Sequence, residues 1–185
     1  MGREKERARD GQLVMRGQHG DRRAMEELIL LYQDILFKLA FRMLGNTEDA
    51  ADATQTTFLK AFENLKSFDP RFRFFSWIYR ITINECLNYH RRDRVSEYVD
   101  ESVSDQGAGP ELAARDSELQ DAVQSALMTL NDDHRAVITL RHFGELSYTE
   151  IASVLELPEK TVRSRLFEAR GRLKGAMERA GVTAA

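Results

Sequence analysis

The sequence contains a single cysteine, Cys86, and this scarcity excludes several classes of protein. A disulfide scaffold needs paired cysteines, and structural zinc or iron–sulfur sites need two or more thiolates at short spacing. The four histidines show no metal-ligand spacing either: His19, His90, His134 and His142. We therefore predict no metal and no cofactor, and we interpret Cys86 as a small core residue.

Long uncharged stretches are missing as well. The longest one covers ten residues, 122–131, whereas a helix needs about 20 apolar residues to cross a bilayer. The first residues of the chain also lack the apolar core of a signal peptide. These absences predict a cytoplasmic protein with no membrane insertion.

The sequence also lacks a dominant charge sign. Its 27 basic and 30 acidic residues leave a net charge of −3, which is too balanced for a chain that coats nucleic acid along its whole surface. Any contact with DNA must therefore be local. With 42% apolar residues, the 185-residue chain can bury a core in one domain or in two small ones.

Helix-breaking residues are rare too. Only three prolines occur in the chain, and Gly45 is the only glycine between Gly20 and Pro70. This composition leaves room for long uninterrupted helices. The sequence therefore predicts an all-α fold.

The composition changes between residues 96 and 118. This segment has seven acidic residues against one arginine, with two glycines and a proline in its middle. Such a composition is typical of a flexible linker. We therefore predict two small helical domains, over 1–95 and 119–185, joined by a flexible acidic linker over 96–118.

Two amphipathic helices are predicted in the first domain. Asp21 can cap the first helix, and Gly45 can end it in a left-handed conformation. Its apolar positions recur every three or four residues: Met25, Leu28, Ile29, Tyr32, Ile35, Leu36, Leu39, Ala40 and Met43. The second helix follows the capping residues Asn46 and Thr47. Its apolar positions are Ala51, Thr54, Phe58, Ala61, Phe62 and Leu65. Both stripes are typical of helices that face a core.

A third helix, predicted from Phe74 to about Asp93, has an unusual polar face. At about 100° per residue, its apolar face comprises Phe75, Ile78, Thr82, Cys86 and Tyr89. The opposite face comprises Trp77, Arg80, Asn84, Asn88 and Arg91. Aromatic rings stack on unpaired bases, amides pair with base edges and arginines hold phosphates, so this face suits single-stranded nucleic acid. The alternative is a core helix in which Trp77 packs against neighbouring helices, as the flanking residues Ile81 and Leu87 suggest.

The residues on either side of this helix extend the same chemistry. Phenylalanines alternate with arginines around a proline turn before it, at Phe68, Arg71, Phe72, Arg73 and Phe74. Arg91, Arg92 and Arg94 lengthen the basic track at its other end. The segment thus offers loop aromatics beside charges that bind phosphate.

The second domain contains a helix-turn-helix pattern. Residues 147–150, Ser-Tyr-Thr-Glu, form a capping box that starts a helix. Ile151, Ala152 and Leu155 give this helix an apolar face, and Pro158 suits the first position of the next helix. The buried stripe of that next helix comprises Val162, Leu166, Ala169 and Leu173.

The last helix carries nearly all the positive charge of this half. Residues 159–179 include seven basic and three acidic side chains. The outward face comprises Lys160, Ser164, Phe167 and Glu168, and the flanks carry Arg163, Arg165, Arg170, Arg172 and Lys174. Such a helix suits the major groove, where its outward side contacts bases, including a thymine methyl at Phe167, and its flanks hold phosphates. The alternative is a solvated charged helix with an ordinary exposed phenylalanine.

Three blocks, in this order, make the chain resemble a bacterial RNA polymerase sigma factor of the small extracytoplasmic-function (ECF) type, within the sigma-70 family. They are residues 49–58 (DAADATQTTF), residues 75–81 (FSWIYRI) with Asn84, Arg91 and Arg92, and residues 146–152 (LSYTEIA) followed by 161–166 (TVRSRL). The likeness spans nearly the whole chain except the linker and both ends. It implies a region 2 helical bundle followed by a region 4 helix-turn-helix.

The resemblance also implies partners and site residues. Core RNA polymerase, through the clamp helices of its largest subunit and through its flap, would be one partner. The clamp helices would contact Asp49, Asp52, Gln55 and Thr56. The minus-ten promoter element would be melted and held by Phe68, Arg71, Phe72, Arg73, Phe74, Trp77, Arg80, Asn84, Asn88, Arg91 and Arg92. The minus-thirty-five element would contact Lys160, Thr161, Arg163, Ser164, Arg165, Phe167, Arg170 and Arg172. An anti-sigma factor is a further expected partner, and no enzymatic activity is expected.

The chain departs from the family pattern at four positions. Glycine is frequent where Glu156 and Lys160 stand, an acidic residue where Thr56 stands, and a basic residue where Glu168 stands. If Glu156 adopts a left-handed conformation, we expect strain on the order of 1 kcal/mol.

Two other classes of protein compete with the sigma factor. A free-standing helix-turn-helix regulator would share the second domain, but it would leave the 68–94 array unexplained and would usually be a dimer on a palindromic site. An enzyme is disfavoured because the carboxylates are scattered and no glycine-rich phosphate loop occurs.

Overall fold

The computed structural model describes residues 2–97 and 114–181, with side chains described over 8–92 and 118–181. Within these ranges the regular elements are α1 (Gly2–Gln18), α2 (Arg22–Leu44), α3 (Thr47–Glu63), a 3₁₀ turn (Leu65–Ser67), α4 (Phe74–Glu97), α5 (Ala114–Met128), α6 (Asp132–His142), α7 (Tyr148–Leu155) and α8 (Glu159–Arg179). The all-α prediction is confirmed, since the described part contains no strand.

The predicted caps set the limits of α2 and α3. The Asp21 carboxylate accepts hydrogen bonds from the first backbone N–H groups of α2, including that of Ala24. Gly45 ends the helix at φ +77°, and its N–H donates to the Phe41 carbonyl. The Asn46 side chain caps α3 in the same way. All three capping predictions are confirmed.

The first unit comprises α1 to α4, packed around α2. The largest fully buried side chains of α2 are Leu28, Leu36, Leu39 and Met43, as its stripe predicts. Two stripe positions are wrong, because Ile35 and Ala51 are exposed. Both lie at the margin of their stripes, where the neighbouring helices no longer cover them.

Helix α1 was not predicted, because its mean hydropathy is low and its apolar positions are few. It packs through the buried residues Leu13 and Val14. Asp10 is buried in the same helix and accepts a hydrogen bond from the Tyr32 hydroxyl at 2.5 Å. Burial and this hydrogen bond raise the pKa of Tyr32. The pair therefore fixes α1 to α2.

The second unit comprises α5 to α8, with α6 at its centre. Every residue from 134 to 140 is buried. The predicted stripe of α8 is confirmed at Val162, Leu166 and Ala169, while Leu173 is partly exposed. Pro158 precedes the first residue of α8 and occupies the N-cap, one position before the predicted one. Helix ends commonly shift by a residue.

The two units share one continuous hydrophobic core. The buried Arg135 joins them: its guanidinium donates to the carbonyls of Leu127 and Leu130 in its own unit and to that of Met43, at 2.7 Å, in the first unit. Arg42 donates in turn to Gln124 at 3.0 Å. The ends of α2, α5 and α6 are therefore tied together.

The helices extend beyond the predicted domain limits. Helix α4 continues to Glu97 and α5 begins at Ala114, so both ends of the predicted 96–118 linker are helical. The rest of that linker, 98–113, lies outside the described residues. No helix of the described part combines the length and apolarity that a membrane span requires.

Candidate nucleic-acid interface

The polar face of α4 is open to solvent along its second half. Asn84, Arg91 and Arg92 are exposed, and Arg80 and Asn88 are partly exposed. The opposite face is buried at Ile78, Thr82 and Cys86. Burial raises the pKa of the Cys86 thiol to about 12, as expected for a core residue and not for a nucleophile. The predicted division of α4 into two faces is confirmed at these positions, whereas Trp77 of the predicted polar face is only partly exposed.

The aromatics before and at the start of α4 form a packed cluster. Phe68 and Phe74 are buried, and their ring centroids lie 5.0 and 5.7 Å from that of Trp77. The prediction that Phe68 and Phe74 are loop aromatics open to bases is therefore wrong. The Gln18 side chain donates to the Phe68 carbonyl at 2.8 Å and anchors this turn against α1. Phe72, at 65% exposure, is the only one of the three predicted phenylalanines that can meet a base.

The arginines beside this cluster have acidic partners. Arg71 pairs with Asp69 within the loop, and its hydrogen bonds lower the pKa of the Asp69 carboxyl. Arg73 and Arg80 pair with carboxylates of α7, which belongs to the second unit. The structure therefore brings Arg73 and Arg80, two of the predicted minus-ten residues, into contact with the helix-turn-helix at α7 and not at the outward face of α8.

The predicted polymerase-binding residues lie on the outer side of α3. Asp52 and Gln55 are exposed, and Asp49 and Thr56 are partly exposed. An exposed apolar residue of the same helix, Leu59, continues this side at 57% exposure. Sequence reasoning missed Leu59, although an apolar residue outside the buried stripe of α3 could have been recognised as a candidate contact residue. The helix thus presents a mixed acidic, amide and apolar surface.

The helix-turn-helix is built as predicted. Ser147 and Glu150 form the reciprocal capping box at the start of α7. Glu156 ends α7 with φ +54° and ψ +42°, so the condition stated for it holds and its conformation is left-handed. Its N–H donates to the Ala152 carbonyl, and the tight turn leads directly to Pro158 and α8.

The outward side of α8 is accessible in the free protein. Lys160 and Ser164 are exposed, and Phe167 reaches 81% exposure. Three flanking arginines are exposed as predicted, Arg163, Arg170 and Arg172, while Thr161 and Arg165 are partly exposed. Two of the arginines are paired: Arg163 with Glu159, whose pKa it lowers, and Arg165 with Asp133 at 3.1 Å. This side therefore offers bases an aromatic ring and phosphates a set of cations.

A cavity of about 340 Å³ lies between the two units. Its walls include Ile35, Phe72 and Phe75 of the first unit and Leu146 of the second. Arg73 also lines it. The cavity explains why Ile35 is exposed at the margin of its stripe.

Sequence reasoning missed the residues that hold the two units together. Arg42 lies with its guanidinium 4.6 Å from the centroid of the Phe143 ring, and burial lowers its pKa. His90 Nδ1 lies 2.7 Å from a carboxylate oxygen of Asp132. One sequence feature could have indicated this connection: Arg135 is a charged residue at the start of the apolar run of α6. No group of metal-ligating side chains is present among the residues that the structure covers.

Comparisons with known families agree with the division into two units. Residues 28–95 match Sigma-70 region 2, and residues 120–173 match Sigma-70, region 4. The first match contains all but the last two residues of α4, and the second contains α7 and most of α8. A free-standing helix-turn-helix regulator would not account for the first match.

Known relatives cover almost the whole chain. The ECF RNA polymerase sigma factor SigW of Bacillus subtilis is 33% identical over 84% of this chain and 89% of its own length. The RNA polymerase sigma-H factor of Pseudomonas aeruginosa is 36% identical over 91% of this chain and 94% of its own.

Solved structures show the same fold. The chain of CnrH, solved in complex with the cytosolic domain of CnrY, has a TM-score of 0.72 and 27% identity, over 92% of this chain and 97% of its own. The sigma factor RpoE of Bartonella quintana, solved with the anti-sigma factor NepR, has a TM-score of 0.72 at 24% identity, over 83% of this chain and 96% of its own. Taken with the two region matches, these relationships show that the chain belongs to the ECF group of sigma-70 factors, which direct RNA polymerase to promoters and are not a family of enzymes.

Proposed function

We propose that the first domain, predicted over 1–95, melts and holds the minus-ten promoter element on the polar face of α4. The exposed amide of Asn84 and the exposed guanidiniums of Arg91 and Arg92 support this assignment. Trp77 is only partly buried, so one side of its ring can stack on an unpaired base. Phe72 extends the aromatic surface into the loop. Energy for opening comes from exchanging stacked base pairs for these contacts.

The second domain, predicted over 119–185, is proposed to bind the minus-thirty-five element through α8. The observation that carries this proposal is Phe167, because an aromatic side chain with 81% exposure has no packing role in the fold. Ser164 lies one turn away on the same outward side. Phe167 and Ser164 would contact bases, and the flanking arginines would hold phosphates.

The outer side of α3 is proposed to bind core RNA polymerase at the clamp helices of its largest subunit. Asp52 and Gln55 are exposed on the outer side of α3, which supports a role in binding. The polymerase flap is a further proposed contact, made by the second unit. Because core RNA polymerase is the proposed partner, we propose a cytoplasmic location.

An anti-sigma factor is a proposed regulatory partner. Support comes from the family resemblance and from the similar chain CnrH, which was solved in complex with the cytosolic domain of CnrY. The cavity between the units offers an apolar surface to such a partner.

Transcription in vitro tests the proposed function. Core RNA polymerase with the purified chain should initiate from a defined subset of a randomised promoter library, with preferred sequences near both elements. Replacing Asp52 and Gln55 together by Ala should weaken polymerase binding, while circular dichroism stays unchanged because both side chains are exposed. Unchanged polymerase affinity would contradict the assignment of α3.

A further inference from the structure

The minus-ten face of α4 is partly occupied in the free protein. Arg73 Nη1 lies 2.6 Å from Glu150 Oε1, and Arg80 Nη1 lies 2.6 Å from Glu156 Oε1. Arg80 Nη2 also donates to the Ser153 carbonyl at 2.7 Å. Both arginines belong to the set proposed to hold the minus-ten strand. Both are engaged instead by α7 of the helix-turn-helix.

The acceptors at the two ends of α7 follow the same order along the chain as the two arginines. Glu150 lies in the first turn of α7 and pairs with Arg73, which directly precedes α4. Glu156 ends α7 and pairs with Arg80, farther along α4, while Ser153 offers Arg80 its backbone carbonyl. Helix α7 therefore packs against the first turns of α4 in the same direction. Carboxylate oxygens offer a guanidinium the same kind of acceptor as phosphate oxygens.

The backbone of Glu156 indicates that its side chain has a role. Its φ of +54° is a left-handed conformation that glycine adopts without steric conflict. The cap of α7 uses only the backbone N–H of Glu156, which donates to Ala152. The turn itself therefore needs no side chain here. The carboxylate instead contacts Arg80, in the other unit.

Both ion pairs are accessible enough to be exchanged. The side chains of Arg73 and Arg80 are 42% and 34% exposed, so water and salt screen them. Arg80 Nε is buried without a hydrogen-bond partner among the described residues. The guanidinium of Arg80 is thus incompletely satisfied by α7. A nucleic-acid strand could replace α7 at modest cost.

We propose that α7 docks on α4 as a mimic of the minus-ten strand, with Glu150 and Glu156 in the place of two phosphates. The proposal rests on the strand-binding function proposed above for α4. It follows that the free protein is closed, and that α7 must leave α4 before the strand can bind. The contacts of Arg42 and Arg135 join α2 to α5 and α6, away from this pairing, and can act as a pivot.

The test is a double variant that keeps the fold of α7. Glu150→Gln preserves the capping box, because glutamine serves at that position. Glu156→Gly suits the left-handed backbone. The matched control, Glu26→Gln with Glu63→Gln, removes two exposed carboxylates of α2 and α3, away from both proposed DNA-binding helices. Thermal unfolding should show that all three proteins are folded, and Glu156→Gln replaces the glycine variant if α7 is destabilised.

Binding is measured by fluorescence anisotropy with a short labelled single-stranded DNA of randomised sequence, using the full chain. At low salt the double variant should bind about threefold to tenfold more tightly than the parent, the range that two exposed ion pairs can supply. This gain should shrink as salt rises. Equal affinity of variant and parent, or the same gain in the control, would overturn the proposal.

A distance measurement without DNA tests the closed form of the protein independently of the strand-binding function proposed for α4. Spin labels are attached to cysteines introduced at the exposed positions Lys66 and Arg179, while the buried Cys86 stays unlabelled. The double variant should show a longer and broader distance distribution than parent and control. An unchanged distribution would overturn the closed form. A changed distribution, with no DNA binding by any of the proteins, would support closure and contradict the strand-binding role of α4.

Discussion

The two proposed DNA-binding helices differ in how accessible they are in the free protein. On α8 the outward residues Lys160, Ser164 and Phe167 are exposed. On α4 the ring of Trp77 packs against two buried phenylalanines, and Arg80 is paired with α7. The surface proposed for the minus-thirty-five element is therefore already accessible. On our proposal, the surface for the minus-ten element needs a rearrangement before it can hold DNA.

The position of each helix in the fold explains this difference. Helix α8 lies at the edge of the second unit and buries one stripe, so its opposite side stays free. Helix α4 contacts α1, α2 and α3 in its own unit and α7 in the other. Its first half therefore has neighbours on most sides, and only the part from Asn84 onward is open. Recognition of duplex DNA and capture of a melted strand thus have different structural requirements.

The largest expected effect comes from breaking the connection between the units. Arg135→Met should lower the free energy of unfolding by about 3 kcal/mol, because it leaves buried carbonyls without donors, including that of Met43. Denaturation in urea measures the loss. Arg165→Met is the control, since it removes an accessible pair with Asp133 and should cost less than about 1 kcal/mol. Equal losses in both variants would show that Arg135 is not a central connection.

The next largest effect is expected in promoter opening, which distinguishes the role of α4 from that of α8. Asn84→Ala should reduce opening about tenfold, because a lost base contact costs ~1–3 kcal/mol only after the bases have unstacked. Permanganate reactivity of promoter thymines measures opening, and closed-complex formation should change less. Trp77→Ala should impair opening too, and it should also lower thermal stability because Trp77 packs against Phe68 and Phe74. Normal opening in both variants would favour a purely structural role for this face.

Substitutions on α8 test the other helix of the comparison, because its outward surface is already accessible in the free protein. Phe167→Ala should change the preferred upstream sequence and weaken specific binding several-fold, with stability unchanged within about 0.5 kcal/mol. Arg172→Ala should weaken binding to all sequences alike. Selection from a random library with the holoenzyme measures both effects. An unaltered motif for the Phe167 variant would count against this docking of α8.

The smallest effect is expected from the predicted acidic linker, at four positions that lie outside the described residues. Replacing Asp100, Glu101, Asp105 and Glu111 by Asn and Gln should raise polymerase-free DNA binding about twofold at low salt, since screening at about 8 Å limits charge effects to close approach. The preferred motif should not change. Equal binding across a salt titration would show that the linker is only a tether.

Local features of this fold could be predicted because they depend on neighbouring residues. The caps at Asp21, Gly45 and Asn46 and the capping box of α7 all follow from side-chain and backbone chemistry within a few positions. The two faces of α4 and the buried stripe of α8 follow from helical periodicity in the same way. These predictions are confirmed.

The errors concern contacts between distant parts of the chain. Phe68 and Phe74 alternate with arginines, a pattern that is typical of an exposed loop, yet α1 and α2 cover both side chains. Helix α1 was itself not predicted, because its apolar periodicity is weak. Nothing near Arg135 in the sequence indicates that it donates to a carbonyl 92 residues away. Periodicity shows that a side is apolar or polar, but not which helix lies against it.

The sequence by itself determined the family, the helices and the types of side chain on the DNA-binding faces, because each depends on local pattern or on ordered motifs. Only the tertiary structure decided which of those side chains are accessible. Glu150 and Glu156 can be assigned to a capping box and a turn from the sequence, but their contacts with Arg73 and Arg80 require that α7 lie along α4. Packing of the two units sets that arrangement, and packing depends on shape complementarity across the whole core.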